Sequence, residues 1–238
     1  MEERYTKCID DALVWIHANY TANAIFVCGS IIRGTANANS DFDIYVLHSG
    51  DYRQRVQKFF NGVPCEIFIN NLNHTQASFE RELKNNRPCT AHMLATGIVY
   101  FDDKSVDTSA LVAQAQKHTG LSLGLTAQQI TAAKYSIALA FEDATDVLDT
   151  DEASAKLLLH KTVSEVIIYM YALNKIPLPG IKFRIRKLIS VNQPVAHLIA
   201  QFYAADSITA QYNFAGKVLD ELDISKIFFE WTSDKDQQ

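Results

Sequence analysis

The sequence predicts an α+β domain built on a mixed sheet, followed by an all-α helical bundle domain, in a chain of 238 residues. In the first half of the chain, short apolar runs bounded by turn residues are typical of strands, and stretches with helical spacing lie between them. From residue 126 to residue 222 the spacing is helical throughout. The change of character after Gly120 places the predicted boundary between domains 1–122 and 123–238.

The predicted elements of the first domain follow from the spacing of apolar residues. In chain order they are a helix over 3–18, a strand over 25–28, a short helix over 30–36, a strand over 42–48, a helix over 51–60, a strand over 63–69, a helical stretch over 73–96 interrupted near Pro88, a strand over 97–101 and a helix over 105–118. Val56, Phe59 and Phe60 recur at helical spacing, which is why the fifth element is predicted as a helix. Asn61-Gly62 is expected to end it.

The second domain is predicted to contain helices only. They cover 126–148, 154–174, 181–191, 194–205 and 207–222. Thr126 and Gln129 have the spacing of a capping box at the start of the first of these helices. The sequence PLPG at 177–180 separates the second helix from the third. The tail SDKDQQ, residues 233–238, is predicted to fray.

The composition is that of an ordinary globular protein, with 48% apolar and 21% charged residues. The net charge of −5 argues against broad, nonspecific contacts with nucleic-acid phosphates, although it is compatible with a local basic pocket for a nucleotide. The amino-terminal segment lacks the apolar region of a signal peptide, and no apolar run has the length of a membrane span. We therefore expect a cytoplasmic protein with no membrane partner.

Four cysteines, Cys8, Cys28, Cys65 and Cys89, occur without a CxxC pair. Two of them lie inside predicted core strands. They are interpreted as small buried hydrophobic residues in a reducing compartment. The seven histidines show no spacing typical of metal ligands, so the sequence predicts no zinc site.

Two aspartates at the start of the second predicted strand carry the main functional signal. Asp41 and Asp43 share one face of that strand because successive side chains point to opposite faces. Neighbouring carboxylates repel each other unless a cation lies between them. A hard divalent ion such as Mg²⁺, held by carboxylates and substrate phosphates, satisfies this requirement.

Further residues extend this hypothesis to a triphosphate site. Glu66 lies in an otherwise apolar strand, where an unpaired charge is costly, and it completes a triad if that strand neighbours the strand of the aspartates. Gly29 would let the backbone approach phosphates closely. Ser30 offers a hydroxyl and an amide to phosphate oxygens. Arg33 would steady the loop or pair with a phosphate or carboxylate.

These residues form a pattern with a recognisable spacing. It consists of Gly29 and Ser30, ten intervening residues, Asp41, Phe42 and Asp43 between apolar neighbours, and Glu66 on a later strand. The pattern resembles the nucleotidyltransferase superfamily related to DNA polymerase beta, over residues 25–69. Arg33-Gly34 and Ser40 are similar to its small bacterial branches, which include aminoglycoside adenylyltransferases and the minimal nucleotidyltransferases of toxin–antitoxin pairs. The third acid is Glu where Asp is usual, a change that the superfamily tolerates.

The resemblance implies transfer of a nucleoside monophosphate from an NTP to an acceptor, with release of pyrophosphate. It implies that one or two Mg²⁺ ions are bound by the catalytic residues Asp41, Asp43 and Glu66, with ATP as co-substrate. The nucleotide-binding residues that it implies are Gly29, Ser30, Arg33, Ser40 and Lys182.

Lys182 belongs to a basic segment in the second half. Residues 181–187, IKFRIRK, hold four basic residues in seven. The surrounding sequence is similar to the helical domain of streptomycin/spectinomycin-type adenylyltransferases, in which a lysine after a comparable turn contacts the triphosphate. Lys182 is the matching position, and Arg186 is a second candidate. The plain alternative for these residues is a solvated helix face, as it is a solvated turn for the aspartates and an exposed strand face for Glu66.

The sequence leaves three acids as candidates for the general base. Glu66 is already placed near the expected chemistry, whereas Glu142 and Glu165 lie on predicted helices of the second domain beside apolar residues. Desolvation there would raise the pKa of a carboxyl toward a useful range. For both residues an ordinary position on a helix surface is the more common situation.

The preferred function is a Mg²⁺-dependent adenylyltransferase acting on a hydroxyl of a small molecule, with an aminoglycoside antibiotic, and hence antibiotic resistance, as the class that the resemblance favours. One alternative is a protein-modifying AMP transferase of the toxin–antitoxin type. Another is a nucleotide-binding regulatory module that has lost turnover. A nucleic-acid polymerase is disfavoured by the acidic balance. The acceptor, the base of the NTP and the choice between monomer and homodimer stay open.

Overall fold

The structure is a computed structural model that describes residues 2–233 and residue 235. The chain divides into two compact units, Met1–Leu121 and Ser122–Gln238, which are described separately below. Apart from residues 233 and 235, the predicted fraying of the tail falls outside the described residues.

The first unit combines helices with a sheet. Its elements are α1 (Glu3–Asn19), β1 (Ala22–Cys28), β2 (Phe42–His48), β3 (Gln54–Phe60), β4 (Val63–Asn70), α2 (Leu72–Lys84), α3 (Cys89–Thr96), β5 (Ile98–Asp102) and α4 (Thr108–Thr119). The strands lie in the order β3-β4-β2-β1-β5. The pair β2–β4 is parallel and the other neighbours are antiparallel, so the sheet is mixed. Together with the helical second unit, this confirms the predicted fold class.

The sheet is covered by helices on both faces, because alternate strand residues are apolar in both directions. Phe42, Ile44 and Val46 of β2 belong to one core, which they share with buried residues of α1. Tyr45 and Leu47 point the other way, into a second core with residues of α2, α3 and α4. Asp43 continues the second set toward the start of the strand. The sheet thus fixes the direction of the Asp43 side chain.

The predicted helix over 51–60 is wrong, because residues 54–60 form the edge strand β3. Asn61 and Gly62 have φ values of +47° and +74°, and they connect β3 to β4 as a two-residue hairpin. Positive φ at both positions is the conformation that such a tight hairpin requires, and Asn-Gly adopts it at low cost. Phe59, counted above toward a helical face, is instead 71% exposed.

Among the described residues of the second unit, the regular elements are all helical. It contains α5 (Ala127–Val147), α6 (Glu152–Leu173), a 3₁₀ turn (Ile181–Phe183), α7 (Arg184–Leu188), α8 (Gln193–Ala204) and α9 (Ile208–Glu221). The capping box at the start of α5 is confirmed, with both reciprocal bonds between Thr126 and Gln129 present. The single helix predicted over 181–191 is instead the 3₁₀ turn followed by the short α7.

Three of the four cysteines are buried as predicted, but Cys89 is exposed at the start of α3. Cys8 of α1 and Cys65 of β4 lie in contact, with 3.4 Å between their sulfur atoms. Cys28 lies against Gly97, where an added Cβ would fall 2.6 Å from the Cys28 sulfur. In the described part of the chain, no helix combines the length and the apolar character needed to cross a bilayer.

Candidate functional site

Three carboxylates converge where β2 and β4 run side by side. Asp41 precedes β2, Asp43 is its second residue, and Glu66 pairs directly with Asp43 in the parallel register. Paired residues on neighbouring strands project to the same face. One potential ligand oxygen from each of the three acids lies within 4.8 Å of the others. The structure therefore brings together the acids of the predicted triad.

The surroundings of Asp43 disfavour the ionised form of its carboxyl group. Burial, followed by the charges of Asp41 and Glu66, raises the pKa of Asp43 from 3.8 to about 6. The nearby positive charges of Arg33 and Arg55 act in the opposite direction without cancelling the rise. A bound cation would relieve this repulsion, since an opposite charge at short range favours the ionised carboxylate.

The backbone approaches Asp43 closely at Gly29. This residue has φ +96°, a backbone conformation that residues with a side chain rarely adopt. An added Cβ would lie 3.0 Å from Oδ2 of Asp43 and 3.3 Å from its backbone nitrogen. Glycine is therefore required here both by the backbone conformation and by the space beside the carboxylate.

The short helix predicted over 30–36 is wrong, because residues 30–34 form a turn and residues 35 and 36 have no regular structure. The amide of Arg33 donates to the Gly29 carbonyl at 3.3 Å, and the amide of Thr35 donates to the Ser30 carbonyl at 2.9 Å. These bonds are spaced unevenly, so the turn does not continue as a helix. Among the described residues, no protein acceptor is found for the amides of residues 30, 31 and 32. Three amides in one tight turn can bind an anion.

Ser30 and Ser40 close the loop that carries this turn. The Ser30 hydroxyl donates to the Ser40 hydroxyl at 3.0 Å, and the Ser40 oxygen also accepts from the amide of Asn37 at 2.9 Å. Both serines that were predicted to bind the nucleotide therefore hold the loop together by hydrogen bonds. Arg33 is exposed and makes no ion pair within the described residues, although its charge reaches Asp43.

Glu66 has two partners that the sequence analysis missed. Arg55 of β3 forms a charged hydrogen bond and ion pair with Oε1 of Glu66, and Gln57 donates to the same oxygen at 3.0 Å. The missed signal is Asn61-Gly62. A two-residue hairpin places Gln57 opposite Glu66 and puts Arg55 two residues further along the same face.

The residues present fit a hard divalent cation. The donor set consists of carboxylate oxygens, which Mg²⁺ prefers in proteins, and two of the three side chains are partly buried. The glycine turn leaves free the space beside Asp43 that a side chain would fill. This arrangement could hold an ion and a phosphate group next to each other.

The other predicted residues belong to the second unit. Lys182 lies in the exposed 3₁₀ turn, and Arg186 lies in α7 with its guanidinium 5.4 Å from the ring centroid of Phe183. Glu165 of α6 accepts from the Ser136 hydroxyl at 2.9 Å and lies 3.9 Å from Lys161. Glu142 of α5 is half-buried and makes no hydrogen bond or ion pair within the described residues. The proposed roles of these four residues stay predictions.

The fold is similar to that of a solved nucleotidyltransferase-like protein from Exiguobacterium sibiricum 255-15. The TM-score is 0.52 at 11% sequence identity, and the match covers 93% of this chain and 76% of that chain. No protein-family model matches the sequence, and a search of curated proteins found no match. The likeness therefore shows a nucleotidyltransferase-like fold, and it carries no information about a substrate.

Proposed function

We propose that this protein is a Mg²⁺-dependent nucleotidyltransferase that moves AMP from ATP to a hydroxyl of a small molecule and releases pyrophosphate. One observation carries the proposal. Potential ligand oxygens of Asp41, Asp43 and Glu66 meet within 4.8 Å where β2 and β4 run side by side in a nucleotidyltransferase-like fold. The Gly29 turn beside them supports the presence of a phosphate at the same place.

The three acids divide the chemistry among them. Asp41 and Asp43 would hold one or two divalent ions, and Glu66 would bind an ion or accept the proton of the attacking hydroxyl. A bound Mg²⁺ supplies neutralisation of phosphate charge and lowers the pKa of the acceptor hydroxyl. Glu142 and Glu165 are the alternative bases.

The phosphates would lie against the turn. The backbone amides of residues 30–32 donate no hydrogen bond to any other described residue, so they are available to phosphate oxygens. Ser30 and Ser40 would keep the loop closed through their mutual hydrogen bond. Arg33 and Lys182 would each form a charged hydrogen bond with the triphosphate.

We propose an aminoglycoside-type antibiotic as the acceptor class. The support is the resemblance of the sequence pattern to the small bacterial adenylyltransferases. The net charge of −5 also suits a polycationic substrate.

The test is incubation of the full chain with Mg²⁺, ATP labelled at the α-phosphate and a panel of aminoglycosides. We expect a labelled small-molecule product together with pyrophosphate. Asp43→Asn should abolish both, because the site loses one of its three anionic ligands. Asp11→Asn, a matched change at an exposed position of α1, should retain activity. An Asp43→Asn variant with full turnover would exclude the proposed site.

Other outcomes separate the alternative functions. Label that appears only on a partner protein would indicate a protein-modifying AMP transferase. Tight ATP binding without pyrophosphate release under any condition would indicate a regulatory module. Either result contradicts transfer to a small molecule.

A further inference from the structure

Glu66 is held through one oxygen only. Arg55 and Gln57 both contact Oε1, and no hydrogen bond or ion pair to Oε2 is found among the described residues. The Glu66 side chain is 13% exposed. A partly buried carboxylate anchored in this way keeps one orientation and leaves its second oxygen available.

Arg55 is itself anchored on the sheet. Its side chain is 61% exposed, but the guanidinium lies 5.1 Å from the ring centroid of Phe68 on β4. Stacking on the ring and bonding to Glu66 both restrict the guanidinium plane. The permanent positive charge of arginine therefore lies in a defined position beside Glu66, and it also acts on Asp43.

We propose that Arg55 is a positioning residue of the acidic site, which orients Glu66 for turnover while its charge weakens the binding of a divalent ion. The proposal rests on the proposed function, and it adds a residue outside the triad that tunes metal affinity. Gln57 holds the same oxygen without a charge, so it contributes orientation alone.

The two residues therefore have separable effects. Without the Arg55 charge, the repulsion among the acids is less compensated, and the more negative site attracts a divalent ion more strongly. The bond from Gln57 remains in such a variant, so Glu66 keeps part of its orientation. Without Gln57, the arginine charge remains and ion binding has no reason to become tighter.

The experiment is calorimetric titration of the metal-stripped full chain with Mn²⁺, in the absence of nucleotide. Arg55→Gln should bind Mn²⁺ about tenfold more tightly than the wild type. Gln57→Met should show equal or weaker binding. Arg53→Gln is the matched control, because it removes the same charge from an exposed arginine that makes no ion pair within the described residues. Its Mn²⁺ affinity should match the wild type.

A second readout separates positioning from charge. At saturating metal, Arg55→Gln should lower kcat roughly tenfold or more with little change in the KM for ATP, because outer contacts orient the reacting carboxylate. Arg55→Lys keeps the positive charge, so its Mn²⁺ affinity should equal that of the wild type. Its kcat should stay below the wild-type value, since an ammonium lacks the planar fork of arginine.

Two results would overturn the proposal. The first is an Arg55→Gln variant that binds Mn²⁺ no more tightly than Arg53→Gln. The second is an Arg55→Gln variant whose kcat equals that of the wild type. If the wild type transfers no nucleotide at all, the proposed function fails, whereas the Mn²⁺ titration still decides the role of the Arg55 charge.

Discussion

Asp43 lies in a place where its own charge is unfavourable. It is partly buried on the same face of the sheet as Tyr45 and Leu47, and two further acids lie within reach. Folding therefore costs stability locally, because it brings the three acids together at a place that could hold a cation. Such strain between like charges is common where proteins bind metal ions or carry out chemistry.

The cost at Asp43 should appear in the pH dependence of stability. Because its pKa rises from 3.8 to about 6 on folding, the free energy of unfolding of the metal-free protein should fall as the pH rises through that range. Above it, Asp43→Asn should stabilise the metal-free protein by roughly 1–2 kcal/mol, after allowance for solvent screening. Urea unfolding with and without EDTA measures this. Asp11→Asn should show no such gain, and an equal gain in both variants would contradict the assignment.

Gly29 permits a comparison with a second glycine of the same loop. Gly29 and Gly34 both have positive φ, but nothing lies within 4 Å of a Cβ added at Gly34. Gly34→Ala should cost about 1 kcal/mol of stability, from backbone strain alone. Gly29→Ala should cost more, roughly 2 kcal/mol, because the methyl group also crowds Asp43.

The same pair should differ in metal binding. Gly29→Ala should weaken Mn²⁺ binding, since the added methyl lies against Oδ2 of Asp43, whereas Gly34→Ala should leave it unchanged. Calorimetric titration measures both affinities. Equal effects of the two substitutions would show that the space beside Asp43 has no role.

At the level of elements, the β3–β4 hairpin connects the edge of the sheet to the acidic site. The hairpin turn sets the register, and the register places Arg55 and Gln57 beside Glu66. A change at the turn can therefore affect the site from a distance along the chain. β3 is an edge strand with two exposed charged residues, Arg55 and Lys58, which also protect it from pairing with other chains.

Gly62→Ala tests the turn. With φ +74° and no atom within 4 Å of an added Cβ, the substitution introduces backbone strain alone and should cost about 1 kcal/mol. Asn61→Gly, at φ +47°, should cost much less because glycine adopts this conformation freely. Urea unfolding gives the stabilities, and hydrogen exchange of the β3 amides should quicken in Gly62→Ala only. Unchanged exchange would contradict the role of the turn.

The sequence predicted the acids better than the strand that supports them. Asp41, just before β2, and Asp43, its second residue, are two positions apart in extended chain, so their shared face follows from local geometry alone. The apolar residues of 54–60 fit a helix as well as a strand. Phe59 favoured the helix because it was expected to belong to an apolar face, whereas in β3 it is exposed. The contacts of Arg55 depend on pairing between strands. They could have been predicted only by giving the Asn-Gly turn more weight than the apolar spacing.

At the level of the whole molecule, the two units have separate hydrophobic cores. The described residues of the helical core all belong to the second unit, and both cores of the sheet belong to the first. Each unit also holds one of the two tryptophans of the chain, Trp15 in the first and Trp231 in the second. The units can therefore be followed independently by fluorescence.

This partition predicts where metal stabilises the protein. Mg²⁺ should raise the thermal midpoint seen through Trp15 in a Trp231→Phe variant, because binding to the folded acidic site shifts only that unfolding equilibrium. The midpoint seen through Trp231 in a Trp15→Phe variant should not move. Equal shifts in both variants would show that the two units unfold as one cooperative system.

The placement of the cysteines has a practical consequence for spectroscopy. Cys8, Cys28 and Cys65 are buried, and burial raises the pKa of the Cys28 thiol to about 12. Cys89 is exposed at the start of α3, the helix that ends at the glycine packed against Cys28, although partial burial raises the pKa of its thiol as well. A maleimide dye or spin label should therefore attach at this one position in the folded wild-type chain. It would provide a reporter in the first unit without the construction of a cysteine-free background.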